Sequence, residues 1–366
     1  MYFVLFSLMT SLGLACILLP AIVQLAHRFG LCAEPTLRCS HQQRTPCLGG
    51  IALFFSLLIS LLLWSPGASL ERLQVPLAGL ALLFLVGVRD DLRPMAAGPK
   101  LLFQALVVFG LLTPHAGELP LDCGLPILRG LPAVPAWLLS GSWILLCVNA
   151  FNLTDGIDGL AAGIGILVAV ALGSWFGLAG AWHWAMLAFS ALGSLLGFLY
   201  FNISPARVFM GDSGSLLLGG VCGLLAVEFV ALNAGLEPEH PARLEASPVV
   251  AAGILIYPLF DTFRVFFTRL YRGTSPFRPD RRHIHHMLTD FGLSHLRATA
   301  CLVALNGVSI FFVFAMHDRL SPYLLLSIPL LLALTFTYAL HFARRRRRMH
   351  QRPGESGQTV NVAESS

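Results

Sequence analysis

The chain is 366 residues long, 56% hydrophobic and only 12% charged, with a formal net charge of +5 at pH 7. Soluble domains carry about 25% charged residues, so this chain cannot clothe a surface for water, and lipid is the expected solvent. Backbone groups in lipid must pair internally, which points to helices.

The first apolar run covers residues 2–25. It lacks a basic start and is too long for a cleavable signal, so it is expected to be a first transmembrane helix. At about 20 apolar residues per span, ten further candidates follow, roughly at 50–65, 75–89, 101–114, 132–149, 159–179, 181–201, 213–233, 248–268, 298–316 and 321–343. The second, third and fourth of the eleven are short. The expected fold is an all-α polytopic membrane protein of about 11 transmembrane helices. Placing the loop after the first helix in the cytoplasm and alternating sides gives the inside loops 20 of the 24 Lys and Arg residues. Only Arg72, Arg129, Arg243 and Arg319 fall outside. That asymmetry sets the N-terminus in the periplasm and the C-terminus in the cytoplasm. Residues 1–343 are expected to form the membrane domain. Residues 344–366, a basic run followed by polar sequence, are expected to be a disordered cytoplasmic tail, with Arg344–Arg348 as an anchor near anionic headgroups. The eight cysteines show no two-residue metal or redox spacing and read as apolar fillers.

The same topology collects the patterned polar residues on the inside. Asp90 and Asp91 close the third candidate span. Adjacent carboxylates repel unless a cation or proton intervenes, and Mg²⁺ suits them because it binds through a few carboxylates plus substrate phosphates. A solvated helix end paired with Arg89 and Arg93 is the alternative. Lys100, the only lysine in the chain, opens the next span and could meet a diphosphate, pair with those acids or simply anchor the helix.

Between the fifth and sixth candidates lie Asn149, Asn152, Asp155, Gly156, Asp158 and Gly159. Glycines alternating with aspartates suit a tight turn, and the helix that follows offers free N–H groups to a phosphate or a polar ring edge. Capping would explain one aspartate, but not both with the asparagines. The segment Phe209-Met210-Gly211-Asp212-Ser213-Gly214-Ser215 repeats this arrangement before the eighth candidate. Asp212 could cap or bind metal, and Phe209 could sit at the interface or stack on a base. The last inside loop carries Arg278, Arg281, Arg282, His283, His285 and His286. These histidines lack a helical zinc spacing, so a phosphate-binding patch fits better.

In combination these four blocks resemble the polyprenyl-phosphate N-acetylhexosamine-1-phosphate transferase family, in its GlcNAc-1-phosphate branch. The matching residues are Asp90-Asp91, Asn152 with Asp155-Gly-Ile-Asp158-Gly, Gly211-Asp212-Ser-Gly-Ser and His283-Ile-His285-His286, over about residues 27–290. The resemblance implies transfer of a sugar phosphate from a UDP-N-acetylhexosamine to undecaprenyl phosphate, with release of UMP. It implies a site on the cytoplasmic side of a bacterial inner membrane and a product that starts a surface polysaccharide such as O-antigen. Carried over by position, Asp90, Asp91, His283, His285 and His286 would be catalytic. Asp212, with Asp91, would hold Mg²⁺ (Mn²⁺ being the alternative). Lys100, Asn152, Asp155, Gly156, Asp158, Phe209 and Arg282 would bind substrate. Where the family often has an aspartate before Pro35 this chain has Ala33 and Glu34, which leaves that loop outside the catalytic set. No nucleic-acid partner is expected, and a homodimer is allowed.

The rival from another class is a secondary transporter. Transporters place charges near mid-membrane in repeated halves, whereas these spans are nearly free of charge and carry no internal repeat. Asp261 is the closest exception.

Overall fold

The computed structural model describes residues 2–30, 32–33, 45–113, 132–275 and 282–350. The helices are α1 (Tyr2–Phe29), α2 (Gly49–Trp64), α3 (Gly67–Leu92), α4 (Ala97–Val107, continued by a π turn Val108–Leu112), α5 (Ala133–Thr154), α6 (Leu160–Leu178) and α7 (Trp182–Asn202). They continue as α8 (Gly211–Gly235), α9 (Ser247–Ile254), α10 (Ile256–Tyr271), α11 (Ile284–Phe291), α12 (His295–Met316) and α13 (Pro322–His350). The only strands among the described residues are β1 (Cys32–Ala33) and β2 (Thr45–Pro46), paired antiparallel.

Among the described residues, eight helices are long and apolar enough to cross a bilayer: α1, α3, α5, α6, α7, α8, α12 and the Pro322–Arg344 part of α13. α9 and α10 form a ninth, broken span bent by 79°. Two of the eleven expected spans are therefore short. α2 and the stretch Ala97–Leu112 are apolar but fall below full span length, and a 16-residue helix such as α2 rises only about 24 Å against a hydrocarbon core of about 30 Å. The third expected span instead lengthens to 26 residues. The chain is a multi-pass helical membrane protein. The expected tail boundary at residue 343 falls inside α13, which runs on to His350. Residues 351–366, Glu34, Arg38, His41, Arg278 and Arg281 lie outside the described residues.

Large apolar side chains face outward, Ile17, Leu178 and Phe311 each at least 70% exposed, as lipid permits and water would not. Inside, helices associate without a hydrophobic drive, so close packing of small residues and interhelical hydrogen bonds do the work. Ser7 and Ser190 share a hydrogen bond between α1 and α7, and Ser11 Oγ donates to Ser190 O at 2.6 Å. α8 is the hub. A Cβ at Gly50 would lie 2.2 Å from Gly214 N, one at Gly87 2.4 Å from Ser213 Cα, and one at Gly219 2.5 Å from Val148 Cα. Backbones of α2, α3 and α5 thus touch α8 directly, which brings their polar ends to its first turn.

The break between α9 and α10 would strand backbone groups in lipid at several kcal/mol each. α12 satisfies them. Asn306 Nδ2 donates to Ile254 O at 3.0 Å, Asn306 Oδ1 accepts from Tyr257 N at 3.1 Å, and Ser309 Oγ donates to Gly253 O at 2.8 Å.

Candidate active site

The site grows from the start of α8. A helix begins with backbone N–H groups that have no partner within it, and here the partner comes from another helix. Asp91, at the end of α3, accepts from Asp212 N at 2.7 Å with one oxygen and from Ser213 N at 2.9 Å with the other. A carboxylate in that position also meets the positive end of the helix dipole. Gly211 has φ +72°, and a Cβ there would lie 2.2 Å from Cys47 O and 2.8 Å from the Asp91 carboxylate, so the turn requires glycine. Asp91, expected to share a metal with Asp212, lines the cavity and fastens α3 to α8.

The neighbouring Asp90 points the other way. Its Oδ2 meets Lys100 Nζ at 2.8 Å, and its Oδ1 accepts from Met95 N. The same Nζ lies 2.6 Å from Asp212 Oδ2. Asn152, from the end of α5, donates to Asp212 Oδ1 at 2.5 Å and to Ser215 Oγ at 2.9 Å. Residues from the ends of α3 and α5 and the starts of α4 and α8 therefore form one network on Asp212, at one end of the bundle. Asn149 lies outside it, bonded to Gln104 and to Leu145 O.

Asp155, in the turn between α5 and α6, faces a cavity of about 460 Å³ that Asp90, Asn152, Phe209 and Asp212 also line. Its carboxylate accepts no hydrogen bond among the described residues. Burial, then the negative charges of Asp212, Asp91 and Asp158, push its carboxyl up to about 8. Five aspartates line the cavity and no Lys or Arg does, among the described residues; Lys100 supplies one positive charge from behind. An anion entering here needs a further cation. Asp155 and Asp212, with Asp90 beside them, are the oxygen donors able to hold a hard divalent ion. No three His, Cys, Asp or Glu side chains form a ready-made metal cluster among the described residues, and a cation that takes one or two carboxylates plus water and phosphate oxygens needs none.

The three histidines separate. His283 is buried and turns from the cavity to Asp261 of α10, Nδ1 to Oδ2 at 2.9 Å. Asp261 also accepts from Ile284 N at 3.1 Å and from Arg264 at 2.7 Å, so it caps α11 from outside. His285 is 1% exposed and lies under the Asp155 turn, where a Cβ at Gly156 would sit 2.2 Å from its Nε2. Burial, then the nearby His286 charge, hold His285 down at about 3, so it is neutral. His286 alone of the three lines the cavity. Arg282 offers its carbonyl to Arg264 at 2.5 Å, behind the histidines.

Asp158 is held by its neighbours: Oδ2 accepts from Ala206 N at 3.3 Å, Oδ1 lies 3.4 Å from His295 Nδ1, and its carbonyl accepts from Thr299 Oγ1 at 2.7 Å. Four residues of this region escaped the sequence reading. Asn202 joins Gly159 N to Val208 O, both at 2.8 Å, and so ties the Asp155–Asp158 turn to the segment before α8. Cys47, Thr289 and His295 line the cavity. Asn202 stands at a helix end before a Ser-Pro step, a signal that could have been read; a lone Cys, Thr or His carries none. Asp261 was visible as an acid within an apolar run and His283 as part of a motif, but their pairing was not.

Residues 73–230 match the model of glycosyl transferase family 4. A probable undecaprenyl-phosphate N-acetylglucosaminyl 1-phosphate transferase of Bacillus subtilis (strain 168) is 30% identical over 308 residues, 82% of this chain and 81% of its own length. An undecaprenyl-phosphate alpha-N-acetylglucosaminyl 1-phosphate transferase of Yersinia pestis is 29% identical over 91% of this chain and 93% of its own. A decaprenyl-phosphate N-acetylglucosaminephosphotransferase of Mycolicibacterium smegmatis is 32% identical over 78% and 75%. The matched stretch holds Asp90, Asp91, Lys100, Asn152, Asp155, Asp158 and Asp212, the residues that the fold gathers at α8, and the relatives extend the likeness over most of the chain: the protein belongs to glycosyl transferase family 4.

Proposed function

We propose that this enzyme transfers N-acetylhexosamine-1-phosphate, in the first instance GlcNAc-1-phosphate, from a UDP-sugar to undecaprenyl phosphate and releases UMP. The observation that carries the reading is the acidic cavity at the helix ends, where Asp90 and Asp212 share Lys100 and the Asp155 carboxylate, which accepts no hydrogen bond among the described residues, stands beside them. The names of the relatives point to the polyprenyl-phosphate acceptor and the N-acetylglucosaminyl 1-phosphate group; the UDP leaving group rests on the family resemblance of the motifs. The Lys and Arg distribution supports a cytoplasmic site in an inner membrane, and the product would start a surface polysaccharide such as O-antigen.

The chemistry is attack of a lipid-phosphate oxygen on the β-phosphorus of the UDP-sugar, breaking the bond to the bridging oxygen, which leaves with UMP. Two anions must meet. At about 4 Å and an effective dielectric of about 20, each pair of like unit charges costs about 4 kcal/mol. Mg²⁺ on Asp212 and Asp155, with Mn²⁺ as a substitute, would neutralise phosphate charge. Lys100 bridges Asp90 and Asp212, and Asn152, with Lys100, fixes the orientation of the Asp212 carboxylate. Both aspartates of the pair are hydrogen-bonded, Asp91 to the α8 amides and Asp90 to Lys100 and Met95 N; Asp90, whose partner Lys100 also reaches Asp212, is the member of the pair assigned to the lipid phosphate. Catalysis is then mostly positioning and electrostatics.

The test is purified protein in detergent with UDP-GlcNAc, undecaprenyl phosphate and Mg²⁺. UMP and lipid-linked sugar phosphate are expected in equal amounts, both lost on chelation and in Asp212→Ala. Absence of UMP from folded wild-type protein across a panel of UDP-N-acetylhexosamines would overturn the reading.

A further inference from the structure

We propose that Arg344 of α13 is a positioning residue for the transfer: its ion pair with Asp290 fixes the C-terminal end of α11, the short helix that brings His286 and Thr289 to the wall of the cavity. The kinetic consequence rests on the function proposed above. The pairing also takes one arginine out of the basic run that sequence alone assigns to an anchor.

α11 is only 8 residues long. A helix that short has almost no stability of its own, so the groups at its two ends decide where it lies. At its start Asp261 of α10 accepts from Ile284 N at 3.1 Å and meets His283 Nδ1 at 2.9 Å. Ile284, His285, Met287 and Leu288 are buried, while His286 and Thr289, three residues apart and so neighbours on the helix surface, line the cavity. Asp290 follows Thr289 directly. Its Oδ2 lies 2.7 Å from Arg344 Nη2, 54 positions further along the chain.

The pairing has an electrostatic reason. Asp290 stands in the last turn of α11, where the negative end of the helix dipole disfavours a carboxylate and calls for a cation. α11 carries no basic residue in its own last turn, so the cation comes from another helix. Arg344 closes the apolar, span-length part of α13, at the level where an arginine can leave the bilayer and meet a loop-side helix. Its side chain is 17% exposed and that of Asp290 28%, so the pair is partly shielded from water. Arg346 behaves differently: it is exposed, with its guanidinium 4.6 Å from the centre of the Phe342 ring. With the Arg344 contact removed, α11 keeps its Asp261 end and swings at the other, which moves Thr289 and His286 relative to the Asp155 turn.

The experiment uses the full chain in detergent and reads hydrogen exchange of the α11 amides beside UMP release with UDP-GlcNAc, undecaprenyl phosphate and Mg²⁺. Arg344→Ala should speed exchange over residues 284–291 and leave it unchanged at the start of α8. Its kcat/KM should fall about fivefold, the combined scale of a partly exposed ion pair and a charge at a helix end. Arg344→Lys keeps the charge and should recover part of both losses. Asp290→Asn breaks the pair but also removes the carboxylate from the wrong end of the dipole, so it should cost less than Arg344→Ala, and the double variant should match Asp290→Asn. A residue that merely stabilises α13 predicts neither the lysine rescue nor recovery on removing an acid from another helix. Wild-type α11 exchange in Arg344→Ala, wild-type kcat/KM there despite faster exchange, or multiplying losses in the double variant would each overturn the positioning role. If Arg344→Ala fails to fold, Arg344→Lys and Asp290→Asn carry the comparison. No UMP from wild-type protein would instead overturn the parent function, and the exchange data would still decide the tether.

Discussion

The adjacent aspartates at the end of α3 should separate cleanly on mutation. Asp91 gives one oxygen to Asp212 N at 2.7 Å and the other to Ser213 N at 2.9 Å, whereas Asp90 faces Lys100. A hydrogen bond to a charged group contributes about 1.5–3 kcal/mol. Asp91→Asn keeps one acceptor, loses the charge and turns an NH₂ towards the second amide, so about 2–4 kcal/mol of the anchorage of α8 is lost. Were all of that felt in the transition state, kcat/KM would fall roughly 30- to 1,000-fold, at about 1.4 kcal/mol per factor of ten. Thermal unfolding in detergent should shift downward with it, because the same bonds join α3 to α8. Asp90→Asn should abolish transfer, a loss larger than the melting shift from its weakened bonds to Lys100 and Met95 N accounts for. The assay is UMP release beside a thermal melt of each variant. Asp91→Asn protein that melts like wild type but transfers nothing would refute the assignment and return Asp91 to the chemistry.

A second variant, Gly156→Ala, places a Cβ 2.2 Å from Nε2 of the buried His285. Overpacking of this kind costs about 1–3 kcal/mol, so a lower melting temperature and a loss of transfer are expected together. Asn306→Leu strips the partners from Ile254 O and Tyr257 N at the α9–α10 break. Interhelical hydrogen bonds in membranes are worth about 0.6–2 kcal/mol each, and a drop of that order in detergent stability checks it. Divalent-cation dependence should vary with pH. The Asp155 carboxyl, pushed up to about 8 by burial and like charge, is protonated below that pH, so a cation must displace its proton. Apparent Mg²⁺ affinity should therefore rise with pH between about 6 and 8, by up to tenfold per unit for one proton, and level off above. Calorimetry in buffers of different ionisation enthalpy reads the proton released, and Asp155→Asn should flatten the profile.

Sequence alone was enough for the class of the fold, because solvent leaves a compositional mark. With 12% charge and long apolar runs, only helices in lipid satisfy the backbone. It also singled out the polar blocks, since acids, asparagines and glycines at the ends of apolar runs have no reason to be there in a mere anchor. The residue types marked the neighbourhood. They could not say which way each side chain turns, because that depends on partners far away in the chain. Asp90 and Asp91 are neighbours in sequence, yet one meets Lys100 and the other the amides of α8, 121 positions on. His283, His285 and His286 form one motif, but Asp261 takes the first, the Asp155 turn covers the second, and only the third reaches the cavity. The tertiary structure decided those roles for a physical reason: a buried polar group must find a partner, and where several helix ends meet the nearest one is supplied by packing and not by sequence order.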